Sequence, residues 1–383
     1  LLIPFLLLLS LLLIFIKTLT AKKGKLPPGP PKLPILGNLH QLGPFPHRST
    51  WQLSKKHGPI MLLQLGSTPP LVVSSAEAAK EVLKIHDLEC CSRPPLTGPK
   101  RLTYNFQDVA FAPYGHYWKE MRKICVAELF SMKSFSRFNL LGKKRRLESS
   151  FHELDSVFQR VIKDHLDSGP TKDDEEDIVD DIFVAGIDTA AISMIWEMAE
   201  LARKPTAMRK AQNEIRSCVG KKGKLTENDV SKLTYLNMVI KETLRLHPPG
   251  VLLLPRETMS QIKIGDYDIN PRTRIAVNVW AIGRDPDIWD NPEEFIPERF
   301  IDNAIDLNGQ HFELLPFGGG RRIYPGINMG MTVLELALAN LLYFFDWKLP
   351  IGMREIDIDM EEKVGLTVGK NTSLMLIPIK YNM

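Results

Sequence analysis

Cysteine is scarce in this chain. Its 383 residues hold four, Cys90, Cys91, Cys125 and Cys218, with no C-x-x-C pair and no metal-type spacing. That argues against a disulfide-stapled scaffold and a zinc site, and reads as reduced thiols on the cytosolic side of a cell. Charge of one sign is lacking too: 49 Lys and Arg stand against 45 Asp and Glu, a net of +4. So small and dispersed an excess argues against a nucleic-acid partner, and neither a zinc-finger pattern nor a repeat accompanies it. Apolar residues, by contrast, make up 44% of the chain, enough for a large core in one big domain or two smaller ones and too many for disorder.

The one long apolar run stands at the start. Residues 1–16 are interrupted only by Pro4 and Ser10, and Lys17, Lys22, Lys23 and Lys25 follow. At about 1.5 Å per residue the run is slightly short for a hydrocarbon core of about 30 Å, as a clipped segment would be. A cleaved signal peptide is the competing reading, but no small-x-small cleavage site is present and the lysines follow the apolar run. The expectation is a retained single-pass anchor over residues 1–20 with the body on the cytoplasmic side of a membrane. The sequon at Asn371 then never meets the glycosylation machinery. Residues 21–35 form a basic, proline-rich hinge, since LPPGPP at 26–31 suits neither helix nor central strand. Residues 36–383 form the globular body.

Within that body, residues 60–65 and 71–73 read as strands around a Gly-Ser-Thr-Pro-Pro turn, and 76–85 has helical spacing. Residues 262–269 and 274–279 alternate like short strands. Beyond Phe111 helix dominates. Residues 178–202 are apolar on most sides, as in a buried helix, 331–345 form another, and Leu147, Phe151, Leu154, Phe158, Val161 and Ile162 make one apolar stripe. The fold class is mainly α with a small β-lobe.

The chemistry gathers in residues 316–326, PFGGGRRIYPG. Its glycines let backbone approach a flat group closely, and Arg322 offers a planar cationic fork suited to a carboxylate. Alone, such a stretch is more often a structural turn or an anion nest. Four other motifs accompany it: Trp118 with Arg122 as W-x-x-x-R, Glu242 with Arg245 as E-x-x-R, AGIDTA at 185–190, and PERF at 297–300. Glu242 and Arg245 meet across one helical turn as a charge-assisted pair, although an isolated E-x-x-R is usually a surface ion pair.

Together and in this order the motifs resemble the cytochrome P-450 superfamily, in its plant microsomal style. The loop matches F-x-x-G-x-R-x-C-x-G at Phe317, Gly320, Arg322 and Gly326, while the ligand position holds Tyr324. The resemblance covers nearly the whole chain and implies the cytochrome P-450 fold lacking several distal helices. Residue 138 runs at once into 139–146, and residue 176 into the central helix, where a complete member carries further helices. It implies haem b as cofactor, with Trp118, Arg122, Arg256 and Arg322 contacting the propionates, and Glu242, Arg245 and Arg299 as a structural triad. Asp188 and Thr189 are the implied proton relay. The implied activity is monooxygenation of a small lipophilic substrate with O2. Electrons come from NADPH only through a reductase, to which Lys119 and Lys123 offer a basic face. The implied location is the endoplasmic reticulum membrane, and residues 96–106, 248–254 and 366–368 are the implied pocket lining.

Tyr324 decides how far that activity carries over. The family's cysteine thiolate holds the iron and pushes electron density into the O–O bond. A phenol, with a pKa of about 10, must lose a proton to ligate at all, and it is longer and a poorer donor. Tyrosinate haem does exist in catalases. Two readings follow: a haem monooxygenase by descent, its oxygen activation lost or severely reduced, or a non-catalytic membrane-anchored remnant, whether pseudogene product or haem-free binding protein.

The anchor is testable directly. Deleting residues 1–20 is expected to move most of the protein into the aqueous fraction after carbonate extraction. Equal partitioning of the full and shortened chains would contradict a membrane segment there.

Overall fold

Apolar alternation over short stretches builds the β-lobe. The computed structural model describes residues 24–66, 68–103, 105–130, 177–220 and 225–382, without the side chains of residues 102, 128, 129, 177–185 and 187. The anchor over 1–20, the apolar stripe at 147–162 and the junction at 138/139 lie outside the described residues, as does residue 176. Helix α1 (Pro46–His57) leads into β1 (Ile60–Leu62), β2 (Pro70–Val73) and helix α2 (Ala76–Lys80), which continues as a wide π turn over Glu81–Ile85. Ser75 caps α2 by accepting the Ala78 N–H at 3.3 Å. Later in the chain come β3 (Arg256–Glu257), β4 (Ile262–Ile264), β5 (Tyr267–Ile269) and β6 (Arg274–Val277).

The main sheet has the order β1-β2-β6-β3, with β2 antiparallel to β1 and parallel to β6. Leu71, Val73, Ile275 and Val277 pack one face onto Ala79, Val82 and Leu83 behind α2. β4 and β5 form a separate hairpin turning at Gly265, φ 54°. The strand expected over 274–279 stops at Val277, because the Asn278 side chain accepts the Ala281 N–H at 3.0 Å and caps a short helix, Val279–Ile282.

The helical body is built on α3 (His116–Ile124), α4 (Asp177–Arg203), α5 (Pro205–Val219), α6 (Thr234–Leu246) and α7 (Ile327–Phe344). Pro205 sits in the first turn of α5, where no N–H is needed. Leu201, Ala211, Ile215, Leu236, Ile240, Leu338 and Leu342 interlock where α4 to α7 meet. α7 begins at Ile327, earlier than the sequence pattern suggests, directly off the glycine-rich loop. It is long and apolar enough to cross a membrane by length and composition, yet it packs on α4, α5 and α6. Strands β7 (Phe345–Lys348) and β8 (Ile377–Lys380) close the chain as an antiparallel pair.

A buried ion cluster ties α6 to the segment after the sheet. Arg245 donates to both oxygens of Glu242 at 2.8 Å, and Arg299 Nε donates to Glu242 Oε1 at 3.0 Å. The same carboxylate accepts the Ile296 N–H at 2.8 Å. Arg245 goes on to donate to the carbonyls of Gly283, Pro292 and Glu294. The Glu242 and Arg245 side chains are both 0% exposed, so removing one strands the other's charge. Glu242→Ala is therefore expected to cost about 3–5 kcal/mol in urea unfolding. Lys210→Ala, which breaks the exposed pair with Glu298, is expected to cost under about 1 kcal/mol. Equal costs would mean that burial does not set the value of the triad.

Candidate functional site

The loop at 316–326 owes its path to glycine and to one acid. Gly318 and Gly320 have φ of 73° and 65°, the left-handed region that favours glycine. A Cβ on Gly320 would also run into the Leu83 carbonyl and the Asp87 carboxylate. Asp87, buried at the start of a short helix (Asp87–Cys90), accepts from the Arg321 N–H at 3.0 Å and from Arg321 Nη1 at 2.9 Å. Its other oxygen accepts from Arg256 Nη1 at 2.9 Å, and Arg256 Nη2 donates to the Gly319 carbonyl at 2.6 Å. Asp87 thus holds both the loop and its nearest arginine, yet no motif in the sequence marks it.

The cationic groups expected to face a carboxylate do converge here. Arg322 donates to the carbonyls of Cys91 and Ala112, both at 2.7 Å, and lies 4.1 Å above the Trp118 ring. Trp118 Nε1 donates to the Val109 carbonyl at 3.0 Å. Arg122, one turn further along α3, sits 5.6 Å from the Trp118 ring centre. Arg93, absent from the sequence motifs, joins them as a buried residue and donates to the carbonyls of Ala110, Leu254 and Pro255. Burial lowers the pKa of Arg122 and Arg256, and it brings Arg322 down to about 10. Arg93 is driven well below its usual value, by burial first and then by Arg322 and Arg256.

Tyr324 leaves the loop between these groups and the central helix. Its N–H donates to the Phe317 carbonyl at 3.0 Å, and its ring stacks on Phe317 at 6.0 Å with 18° between planes. Phe130 flanks it at 6.4 Å. The hydroxyl oxygen lies 3.6 Å from where a Cβ on Gly186 of α4 would stand, and 3.0 Å from one on Gly326. Burial alone raises the phenol's pKa above 10, so the ring is held neutral. No thiolate stands in for it. Cys90 and Cys125 are buried and pushed up to about 12, Cys91 is raised by burial, and Cys218 lies on α5.

The implied relay residues part company. Asp188 is exposed and accepts from Thr367 Oγ1 at 2.8 Å, whereas the Thr189 hydroxyl turns back to the Gly186 carbonyl at 3.4 Å. α4 remains α-helical through AGIDTA without a break. Of the implied pocket lining, Val251 and Val368 pack on Trp280, while Leu366 faces solvent. A cavity of about 380 Å³ lies elsewhere, beside α1 and the ends of α4 and α6. Its charges are paired: Arg48 to Glu362 at 2.8 Å, His247 to Glu200 at 2.8 Å and Arg284 to Glu293 at 3.1 Å. Burial would raise Glu362, but His47, Arg48 and Trp280 outweigh it and hold that carboxyl at about 2.

Comparison with known proteins gives this arrangement a lineage. The family model described as Cytochrome P450 matches residues 27–163 and 143–375. Cytochrome P450 71B34 of Arabidopsis thaliana is 44% identical over 468 aligned positions, covering 93% of this chain and 93% of that protein. Cytochrome P450 71B20 of the same plant is 42% identical over 489 positions, covering 97% of each. Both alignments are longer than the 383 residues here, so these relatives carry internal segments without a counterpart in this chain. A solved zebra fish cytochrome P450 with abiraterone superposes with a TM-score of 0.71 over 89% of this chain and 100% of that one. At 23% identity that likeness is one of fold.

An iron porphyrin, the cofactor that this family implies, needs a flat layer between loop and central helix. With contacts of about 3.5 Å on each face, the walls must stand about 7 Å apart. The Tyr324 hydroxyl reaches within 3.6 Å of the Gly186 Cβ position, so the phenol already fills that layer. A ring held on the hydroxyl would coincide with α4. The cationic rim suits carboxylates, but the residues present do not fit the plane of the cofactor.

The Tyr324 environment has a readable titration. Its folded pKa is raised above the ordinary phenol value of about 10, so the neutral phenol's contribution to stability is full below pH 10 and declines as pH rises through the folded value. Ultraviolet difference titration of the chain against Tyr324→Phe is expected to show one phenol ionising above pH 10. Ionisation at or below that value would mean a stabilised phenolate.

Proposed function

The chain belongs to the cytochrome P450 family, whose members are haem monooxygenases, and from that premise we propose that it is a membrane-anchored member in which thiolate-driven oxygen activation is lost. One observation carries this reading: the residue at the position of the family's ligand is a half-buried, neutral tyrosine placed between Phe317 and Gly186. A thiolate donates electron density that a neutral phenol lacks. The ancestral activity is insertion of one oxygen atom of O2 into a small lipophilic substrate, with electrons from NADPH delivered by a reductase. Lys119 and Lys123, four residues apart on α3 and both exposed, support a surviving basic face for such a partner at the endoplasmic reticulum membrane.

A second reading, a haem protein with tyrosine as ligand, has one observation in its favour. Arg93, Arg256 and Arg322, with the half-buried Arg122, outnumber the nearby acids Asp87 and Asp108 among the described residues, and such an excess of cations favours an anionic guest.

The test is spectral and catalytic. Reduced protein under carbon monoxide is expected to lack the red-shifted band of a thiolate ligand. Tyr324→Cys alone is expected to leave NADPH-dependent turnover with a reductase absent, because the internal segments present in the relatives are still missing and excluding water from the substrate needs the cover they supply. Coupled turnover from that single change would overturn the proposal.

A further inference from the structure

Resting on the loss of the thiolate, we propose that this chain is a self-capped apoprotein: its own side chains and carbonyls occupy the places of the cofactor, and it folds and persists without a porphyrin. Three sets of contacts carry this. The Tyr324 ring lies in the layer between the glycine-rich loop and α4, stacked on Phe317, with its hydroxyl 3.6 Å from the Gly186 Cβ position. Asp87, a carboxylate of the chain itself, takes the Arg256 fork at 2.9 Å as a propionate would. The carbonyls of Cys91, Ala112 and Val109 accept from Arg322 and from the Trp118 indole.

The three substitutions act together. A fold that relied on a porphyrin would leave, without it, a hydrophobic slot and unsatisfied guanidinium and indole donors, each costly when buried. Here the slot holds an aromatic ring of the chain, and donors of Arg256, Arg322 and Trp118 are bonded within 3.0 Å. The phenol is also poorly suited to becoming a ligand, because ionising it costs desolvation that no neighbouring cation repays; burial is the sole cause of its shift. Swinging the ring out would break its stacking on Phe317 and leave Phe130 and Gly326 facing a gap.

The experiment uses the full chain in detergent micelles, produced with ample haem precursor and then titrated with hemin. Haem per polypeptide, cooperative unfolding and the carbon monoxide spectrum are read for the unmodified chain, Tyr324→Phe and Tyr324→Cys. The unmodified chain and Tyr324→Phe are expected to unfold cooperatively without haem, to hold less than about one haem per ten chains, and to show no rise in Tm with hemin. Tyr324→Cys, which clears the layer and supplies a sulfur, is expected to take up haem and gain the thiolate band. A haem-replete unmodified chain lacking that band would overturn this inference and leave the loss of the thiolate standing. A haem-replete unmodified chain with the band would overturn both. Aggregation of the unmodified chain unless hemin is supplied, or a folded Tyr324→Cys that takes up none, would also overturn the self-capped reading.

Discussion

The phenol of Tyr324 is wedged where three parts of the fold meet: the glycine-rich loop through Phe317, the central helix at Gly186, and the start of α7 at Gly326. Its position is fixed by backbone as much as by packing. Left-handed glycines at 318 and 320 turn the loop, and Asp87 clamps it from below. With the loop so held, the Tyr324 side chain points toward α4. A cysteine there would stop short of the helix, whereas tyrosine spans the gap. One residue therefore puts a half-buried aromatic ring of the chain where a slot for a flat ligand would be.

Buried charge is the second constraint. Arg93, Arg256 and Arg322 are removed from solvent, and the price of burying a guanidinium is met by hydrogen bonds to carbonyls more than by counter-charges. Asp87 is the exception, and its twofold grip on Arg256 and Arg321 joins the β-lobe to the loop. The Glu242 cluster does similar work deeper in the body, where Arg245 and Arg299 converge on one carboxylate. Charge in this chain thus holds irregular backbone in place, as the regular elements are held by apolar contact.

Much of this was legible in the sequence. Period-two runs at 60–62 and 71–73 and the apolar stretch of α4 are strong local signals, and the triad residues Glu242, Arg245 and Arg299 stand in motifs whose order is specific. Asn278 and the early start of α7 were not legible, because a cap and a helix leaving a glycine turn depend on what packs against them. Asp87 was invisible for another reason: it lies some 230 positions from Arg321, within an unremarkable stretch, and only the tertiary fold brings them together. The sequence showed that Tyr324 replaces a ligand, but where its ring goes depends on Gly186 and Phe317, which no local pattern connects to it.

The position of one ring decides whether the cofactor's layer is filled. In the full chain in micelles, with Tyr324 ring protons and glycine α-protons selectively labelled, nuclear Overhauser spectroscopy measures the approach of Tyr324 to Gly186. A direct cross-peak that persists when hemin is added is the predicted result, given a hydroxyl 3.6 Å from the Gly186 Cβ position. Absence of the cross-peak, or its disappearance on adding hemin, would contradict a phenol that occupies the cofactor's layer.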